Sequence, residues 1–567
     1  MVALLCVTTT FVIAQNPLFI PPALSGTNFN LTIQNGITQF YPGINTPTYG
    51  INGALLAPTL IVNKWDFDTI NVTNNLTGNG NSTTIHWHGL HVPAVYDGGP
   101  HQVILQGTTW SPHFQILNSA GTFWYHPHGD NKTDLHVSKG IAGMIIVKDS
   151  TESALTLPRN YGVDDFPIIV QTKAFDILHQ IAIATDEDTS VMVNGTVHPY
   201  LDAPAQVIRL RLLNGSSMRT FNFGFTANHP FKMIAGDGGL LDSAITLTRI
   251  MLSPGERAEI LIDLQSDFGQ TIFLNSYSSE MANGIYGAAT VTGMMGGNIP
   301  FYNLNPLNGA DFGILQLNVV AQTGSPVTSC PTTLTSNTPW TGFTVSRNFS
   351  LNPDTMMSAL GQVIGPFNIN GVHFDMSTIN VTTYLNNIEK WRVTNNTGIA
   401  HPFHIHDMHF YLLNVNGSAV PNYEQGKKDV VMVMPQHYVE FITKFEDFAN
   451  DTTPYMYHCH LLHHEDDGMM GSFRVLDTTS NVAEHSEIDF KIFPNPAENF
   501  LSLDLNSDFH SRILVTNLFG QQIFSKEILA PQKYISIDVS DWKNGLYFVS
   551  VQNGKQTQTQ KFIIQQY

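Results

Sequence analysis

Four short strings in this chain place two histidines one residue apart: His86-Trp87-His88, His126-Pro127-His128, His404-Ile405-His406 and His458-Cys459-His460. Histidine accounts for 23 of 567 residues, so chance gives roughly one such pair in a chain of this length. In extended backbone, residues i and i+2 point to the same side. Each pair then offers two imidazoles to one cavity. Imidazole suits copper, zinc, iron and nickel. A structural zinc site closes with about four ligands, so the four pairs exceed one such site and point to a cluster of several metals.

The last string narrows the metal. Cys459 lies between His458 and His460, so its sulfur faces away from their cavity. His464 and then Met469 follow, and His401 precedes the third pair. Two His, one Cys and a weak axial Met are the ligand set of a blue-copper electron-transfer centre, and a soft thiolate selects copper over hard cations. Cys459 is also bonded through the main chain to two donors of the cluster, a short path for an electron.

The elements that must position these donors read as β almost throughout. Runs rich in Val, Ile, Thr, Phe and Tyr alternate with Asn, Gly, Pro and Asp turns, as in Thr69–Asn74, Ile208–Leu213 and Trp391–Asn395. The close spacing of the turns favours sandwiches or Greek-key barrels. Seams are expected at Asp149–Pro158, at the Ser/Thr/Pro-rich Gln322–Thr338 and at Asp477–Ser486. Val193-Asn194-Gly195 and Ile369-Asn370-Gly371 open similar stretches, a weak internal echo.

Composition removes several function classes. Lys and Arg number 26 against 45 Asp and Glu, a net charge of −19, which disfavours nucleic acid or anionic membrane as a partner. Three Cys cannot support a disulfide framework. Residues 2–14 form an uncharged apolar run too short to span a bilayer. It fits a secretory signal cleaved after Ala14, which would take Cys6 with it. Cys330 is then expected as an unpaired thiol in a connector. No other segment approaches a membrane span.

The four strings resemble those of multicopper oxidases of the laccase-like three-domain kind, over roughly residues 30–480. The resemblance implies an all-β chain of three cupredoxin-like Greek-key barrels at 25–150, 159–321 and 339–478, binding four copper ions. His401, Cys459, His464 and axial Met469 would hold the type 1 copper, and His86 and His404 the type 2. His88, His126, His128, His406, His458 and His460 would hold the type 3 pair. Members that lost oxidase activity typically lack some of these positions; here all are filled. Trp124-Tyr125 before the second pair, Asp237-Gly238-Gly239 and Pro254-Gly255-Glu256-Arg257 match recurrent phrases of the family. The run His458–Met470 is closest to bacterial copper-efflux and spore-coat oxidases. In those, acids corresponding to Asp97 and Glu465 are thought to assist proton delivery to dioxygen. Asp407-Met408-His409 depart from the usual Gly or hydrophobic residue after His406. Met294-Met295 and Met356-Met357 are too sparse for the Met-rich insert of the copper-efflux members and read as core filling. The other 13 His, among them His91, His409 and His463, read as surface or core residues.

Residues 488–567 break from this pattern. Phe493-Pro494-Asn495-Pro496-Ala497 and Gly545-Leu546-Tyr547 resemble the sorting domain of the type IX secretion system, a small β-sandwich. Export through the periplasm to the cell surface or medium, with that machinery as partner, follows from the resemblance. The expected function is one-electron oxidation of phenols, aromatic amines or a bilirubin-like pigment, coupled to reduction of dioxygen to water. The alternatives are a metallo-oxidase acting on Cu(I) or Fe(II), and a non-enzymatic copper-binding envelope protein.

Overall fold

The computed structural model describes residues 16–78, 81–291, 302–354, 363–477, 490–505, 511–528, 532–553 and 556–566. The apolar run 2–14, Cys6 and both Met pairs lie outside them. The chain divides into two compact units, Met1–Asp477 and Thr478–Tyr567.

The first unit holds three β-barrels, each two sheets closed over one apolar core. In the first barrel, one sheet runs Ala23–Ser25, Thr59–Asn63, Gly143–Lys148, Gly121–Tyr125, and the other is built on Asn28–Tyr41, Ile44–Ile51 and Phe67–Asn74. Phe67–Asn74 shows why the sequence folds this way. Its alternate residues Asp68, Ile70, Val72 and Asn74 are buried and those between them are not, the period of a strand with one wet face. Leu31, Ile33, Val72, Trp87 and Tyr125 belong to its core. Each such aliphatic side chain contributes about 1.5–3 kcal/mol on full burial.

The middle barrel is centred on Asp165–Phe175, Val207–Asn214 and Arg257–Asp263, hydrogen-bonded side by side. Asn16–Pro17 pairs in parallel with its Pro199–Tyr200, so the chain touches this barrel before it builds the first. The Gln322–Thr338 connector is bonded to the middle barrel along its backbone. Its Val327 carbonyl accepts from Val207 N, its Thr332 carbonyl from Ala244 N, and Cys330 packs half-buried on the middle core as a free thiol. Asp149–Pro158 contains a short helix, Ser150–Ser153, whose N-cap Asp149 accepts from Glu152 N. The echoed Asn-Gly pairs are both tight turns: Asn194 and Gly195 have φ of 49° and 76°, Asn370 and Gly371 of 58° and 79°, as paired left-handed turn residues require.

The third barrel joins His401–Ile405, Val430–Val433 and Tyr455–Cys459 in one sheet and Ile388–Asn395, Phe410–Val415 and Tyr438–Lys444 in the other. Trp391 fills its centre and donates from Nε1 to Glu389 at 2.8 Å. The second unit is a small sandwich of a three-stranded and a four-stranded sheet over its own core of Leu501, Leu503, Val515, Val549 and Phe562. Among the described residues no helix is long and apolar enough to cross a membrane.

Candidate metal centre

Three of the four histidine pairs sit where a strand ends. Gly121–Tyr125 delivers His126, His401–Ile405 delivers His406, and Tyr455–Cys459 delivers His460. His86 and His126 form an isolated bridge across the first barrel. Trp87 turns into the core and stacks on Trp110 at 6.1 Å. The pairs thus reach past the ladders into one cavity, and all eight imidazoles are buried.

The donors fall into groups whose ligand atoms lie within 4.8 Å of one another: His86, His404 and His406; His88, His126 and His460; His128, His406 and His458; and His401, Cys459 and His464. The first three line the large cavity. The fourth is separate and lies in the third barrel.

In that fourth group, Cys459 Sγ is 3.4 Å from His401 Nδ1 and 3.7 Å from His464 Nδ1. The remote nitrogens are already engaged. Thr397 gives its hydroxyl hydrogen to the Ile399 carbonyl at 2.9 Å, so its oxygen accepts from His401 Nε2 at 2.8 Å. His464 Nε2 donates to the Val363 carbonyl at 2.8 Å. These partners fix the tautomers and leave both Nδ1 lone pairs facing the sulfur. Met469 is buried beside them, its carbonyl accepting from Cys459 N and its own N–H donating to the His464 carbonyl. Phe367 packs against both imidazoles.

The large cavity follows the same rule. Nδ1 of His86 donates to the Asp97 carbonyl, that of His126 to the Pro127 carbonyl, that of His404 to the Asp429 carbonyl and that of His458 to the Cys459 carbonyl, at 2.8–3.0 Å. His406 Nδ1 donates to Asp97 Oδ2 at 2.7 Å. His88 Nε2 donates to Asp429 Oδ1 at 3.2 Å. The opposite nitrogens converge: His458 Nε2 is 3.1 Å from His128 Nε2 and 3.2 Å from His406 Nε2, and His460 Nε2 is 3.2 Å from His88 Nδ1. Nε2 of His86, His126 and His404 are buried without a partner.

Burial, reinforced by neighbouring imidazoles, lowers the pKa of His88, His126, His128 and His404 well below the ordinary value. His460 and His464 fall to about 3. The rings are neutral at pH 7. Neutral imidazoles with inward lone pairs and no proton to share are what a metal cation requires, so the residues fit bound metal. Burial pushes the Cys459 thiol well up, and only a cation at the sulfur would favour the thiolate there.

Both expected acids meet the cavity. Asp97 holds His406. Glu465 lies 3.2 Å from His458 Nδ1 and 3.4 Å from His128 Nδ1, and accepts from the Thr133 hydroxyl at 2.7 Å. Burial, then the neighbouring Asp466, raises the Glu465 pKa well above the carboxylate range. That shift favours the protonated carboxyl.

Sequence reasoning missed four contributors. Thr397 and Val363 orient the thiolate site. Asp429 holds His88 by its side chain and His404 by its carbonyl. Arg257 grips Asp429 through both Nη atoms at 2.6 Å. A bidentate partner far away in the chain carries no spacing signal. The departure after His406 also has a place: Asp407 accepts from His91 Nδ1 at 2.8 Å and from Val92 N at 2.9 Å, and His409 Nε2 lies 3.7 Å from Asp429. His91 thus pairs with the acid that follows His406, and His409 lies beside the acid that holds His88. Burial alone would lower His91, but Asp407 and Asp447 hold it protonated to about 10.

The chain matches multicopper oxidase family models over residues 32–152, 185–291 and 342–479. It is 36% identical over 457 residues to the multicopper oxidase mco of Staphylococcus haemolyticus, covering 79% of this chain and 88% of that one.

The chain belongs to the multicopper oxidase family.

It is also 31% identical over 469 residues to the cell division protein FtsP of Escherichia coli, covering 81% of this chain and 93% of that one. Among solved structures it is similar to a laccase-like multicopper oxidase from Ochrobactrum sp., with a TM-score of 0.70 and 31% identity over 81% of this chain and all of that one. Residues 491–565 match a secretion system C-terminal sorting domain. This multicopper oxidase is therefore a copper-dependent oxidoreductase of a family that uses one type 1, one type 2 and two type 3 copper ions. Its acceptor is dioxygen, its donor a reducing substrate, and it carries a C-terminal export signal.

Proposed function

We propose that this multicopper oxidase draws single electrons from phenolic or aromatic donors at a type 1 site of His401, Cys459, His464 and Met469. Dioxygen reduction is assigned to the larger cavity, where His86 and His404 would hold the type 2 ion. His88, His126 and His460 would hold one type 3 ion, and His128, His406 and His458 the other. The observation that carries this reading is the division of labour at one tripeptide: Cys459 Sγ turns to His401 and His464, while His458 and His460 turn to the other cavity.

Bound copper supplies one-electron redox chemistry and dioxygen binding; the protein supplies geometry and protons. Cys459 joins the two sites through its peptide bonds to His458 and His460, and its carbonyl accepts from His458 Nδ1 at 3.0 Å, a second short path. Glu465 stores a proton beside His128 and His458. Asp97 receives the His406 Nδ1 hydrogen and lies 3.3 Å from His86 Nδ1, so it can pass protons across that side of the cavity. The Ochrobactrum neighbour, described as active towards lignin model compounds and lignosulfonate, supports a phenolic donor.

One observation favours a second donor. Met251, Met281, Met432 and Met434 gather around Ala400, next to His401, and thioethers select Cu(I). Oxygen consumption by copper-loaded protein decides between them. The phenolic reading expects faster turnover with phenols than with Cu(I) or Fe(II), indifferent to Met432→Leu and Met434→Leu. Faster Cu(I) turnover, lost in those variants, replaces it with the metallo-oxidase. No turnover with any donor leaves a copper-binding envelope protein.

For localisation, the sorting domain supports recognition by the type IX machinery after passage through the periplasm. In a host carrying that machinery, the full chain is expected at the surface or in the medium. A chain ending at Asp477 is expected to stop in the periplasm; export of both would refute the assignment.

A further inference from the structure

The middle barrel gives no histidine to either site, yet both of its family phrases converge on one tripeptide of the third barrel, Lys427-Lys428-Asp429. Gly238 N donates to the Lys427 carbonyl at 2.9 Å, and a Cβ on Gly238 would stand 2.4 Å from Lys427 Cβ. Asp237 and Glu256 both pair with Lys428 Nζ, at 3.0 and 2.9 Å. Arg257 reaches furthest. Its two Nη atoms hold the two Asp429 oxygens, and further bonds tie it to the carbonyls of Thr122, Asp237 and Gly255. Asp429 in turn accepts from His88 Nε2 and, at its carbonyl, from His404 Nδ1.

Close approach is built in. A Cβ on Gly89 would lie 2.4 Å from Asp429 Oδ2 and 2.7 Å from Arg257 Nη2, and a Cβ on Gly255 2.9 Å from the His460 ring. Both glycines have positive φ, 81° and 87°. Arg257 and Asp429 are buried. A buried bidentate pair fixes direction as well as distance, and removing one partner leaves a buried charge unpaired.

We infer that Arg257 and Asp429 are positioning residues for the trinuclear site, through which the middle barrel aims His88 and His404. This rests on the ligand assignment proposed above. The thiolate site contacts neither residue, so it is the internal reference.

The test uses the full chain loaded with copper, with metal content, the visible thiolate–copper band, the near-ultraviolet type 3 band and the type 2 paramagnetic signal read together. Asp429→Asn is expected to keep the thiolate band and to weaken copper retention at the other sites by about 10–100-fold, with loss of the type 2 and type 3 signals. Arg257→Lys, which keeps the charge but loses the fork, is expected to lose the same signals to a smaller degree. Asp188→Asn is the control, because it breaks another buried pair of the middle barrel, Arg219–Asp188, whose other side-chain hydrogen bonds go to Thr172, Tyr286, Asn305 and Asn308 and to no donor. It should lower thermal stability and leave all three copper signals. Wild-type signals in either positioning variant, or the same selective loss in Asp188→Asn, overturn the inference. Absence of type 2 and type 3 signals from fully loaded wild type overturns the ligand assignment instead.

Discussion

The two histidine-lined cavities hold their imidazoles by different means. At the thiolate site the remote nitrogens meet a hydroxyl, Thr397, and a carbonyl, Val363. Among the described residues no carboxylate pairs with His401, Cys459 or His464. The larger cavity has three carboxylates against its imidazoles: Asp97 on His406, Asp429 on His88, Glu465 beside His128 and His458. On the proposed ligand assignment, the first cavity would handle electrons alone. In the other, the proposal has charge and protons move together, as reduction of dioxygen to water demands. A neutral partner orients a ring without titrating, whereas a buried carboxyl orients it and also exchanges a proton.

The most destructive way to break this contrast is Cys459→Ser. It should abolish the visible thiolate–copper absorption and oxygen consumption with every donor, while the type 2 and type 3 signals persist. Retention of the visible band would remove the sulfur from the type 1 site. Next come Glu465→Gln and Asp97→Asn. Each should slow reoxidation by dioxygen by about 10²–10⁴-fold and leave anaerobic reduction of the thiolate site by a phenol at its wild-type rate. Stopped-flow traces in which both half-reactions slow equally would dissolve the distinction.

Acid should separate the two cavities in a third way. The strand Gly121–Tyr125, which ends at His126, is tied to the middle barrel through Thr122, whose hydroxyl donates to Glu259 at 2.7 Å. Burial alone would raise Glu259, but Arg209 and Arg211 hold it down to about 2, against an ordinary 4.5. A depressed carboxylate contributes stability that is present above about pH 4.5 and is lost as pH falls towards 2. The shift corresponds to about 3 kcal/mol. Acid titration of the loaded protein should therefore extinguish the type 3 band before the visible band, and Glu259→Gln should be less stable at pH 7 with a flatter acid slope. Simultaneous loss of both bands in wild type would contradict this. The smallest effect is expected of Thr397→Val, which loosens one ring: about tenfold weaker type 1 copper retention with a shifted visible band and unchanged type 3 absorption. An unshifted band would show that the hydroxyl does not orient His401.

The gathering of these histidines and Cys459 was legible in the sequence because pairs at i, i+2 point to one side and the thiol between two of them points to the other. Asp97 and Glu465 were legible through their family phrases, and the β class through alternation in strands such as Phe67–Asn74. The partners that aim the donors were not. Thr397 and Val363 are ordinary residues whose role depends on where the third barrel folds them. Arg257 and Asp429 lie 172 positions apart, and nothing local in either stretch announces the other. Pro254-Gly255-Glu256-Arg257 stood out as a phrase with no task; the task became visible once its target strand was in place. The connector 322–338 stood out by its Ser, Thr and Pro, but the backbone bonds that tie it to the middle barrel had no local signal.

The positions of the donors along the chain also set a timetable. Cys459 is 58 positions from His401 and five from His464, whereas His128 and His458 are separated by 330 and His88 and His460 by 372. Contacts between distant segments must wait for a costly loop to close and form late in folding. The thiolate pocket is complete once the last barrel collapses on itself. The larger cavity exists only after the first barrel has held its half open for nearly the whole chain. Metal offered to a refolding population should thus enter in a fixed sequence, colour first and dioxygen chemistry last. A chain whose folding stopped before the first and third barrels met could turn blue without ever reducing dioxygen.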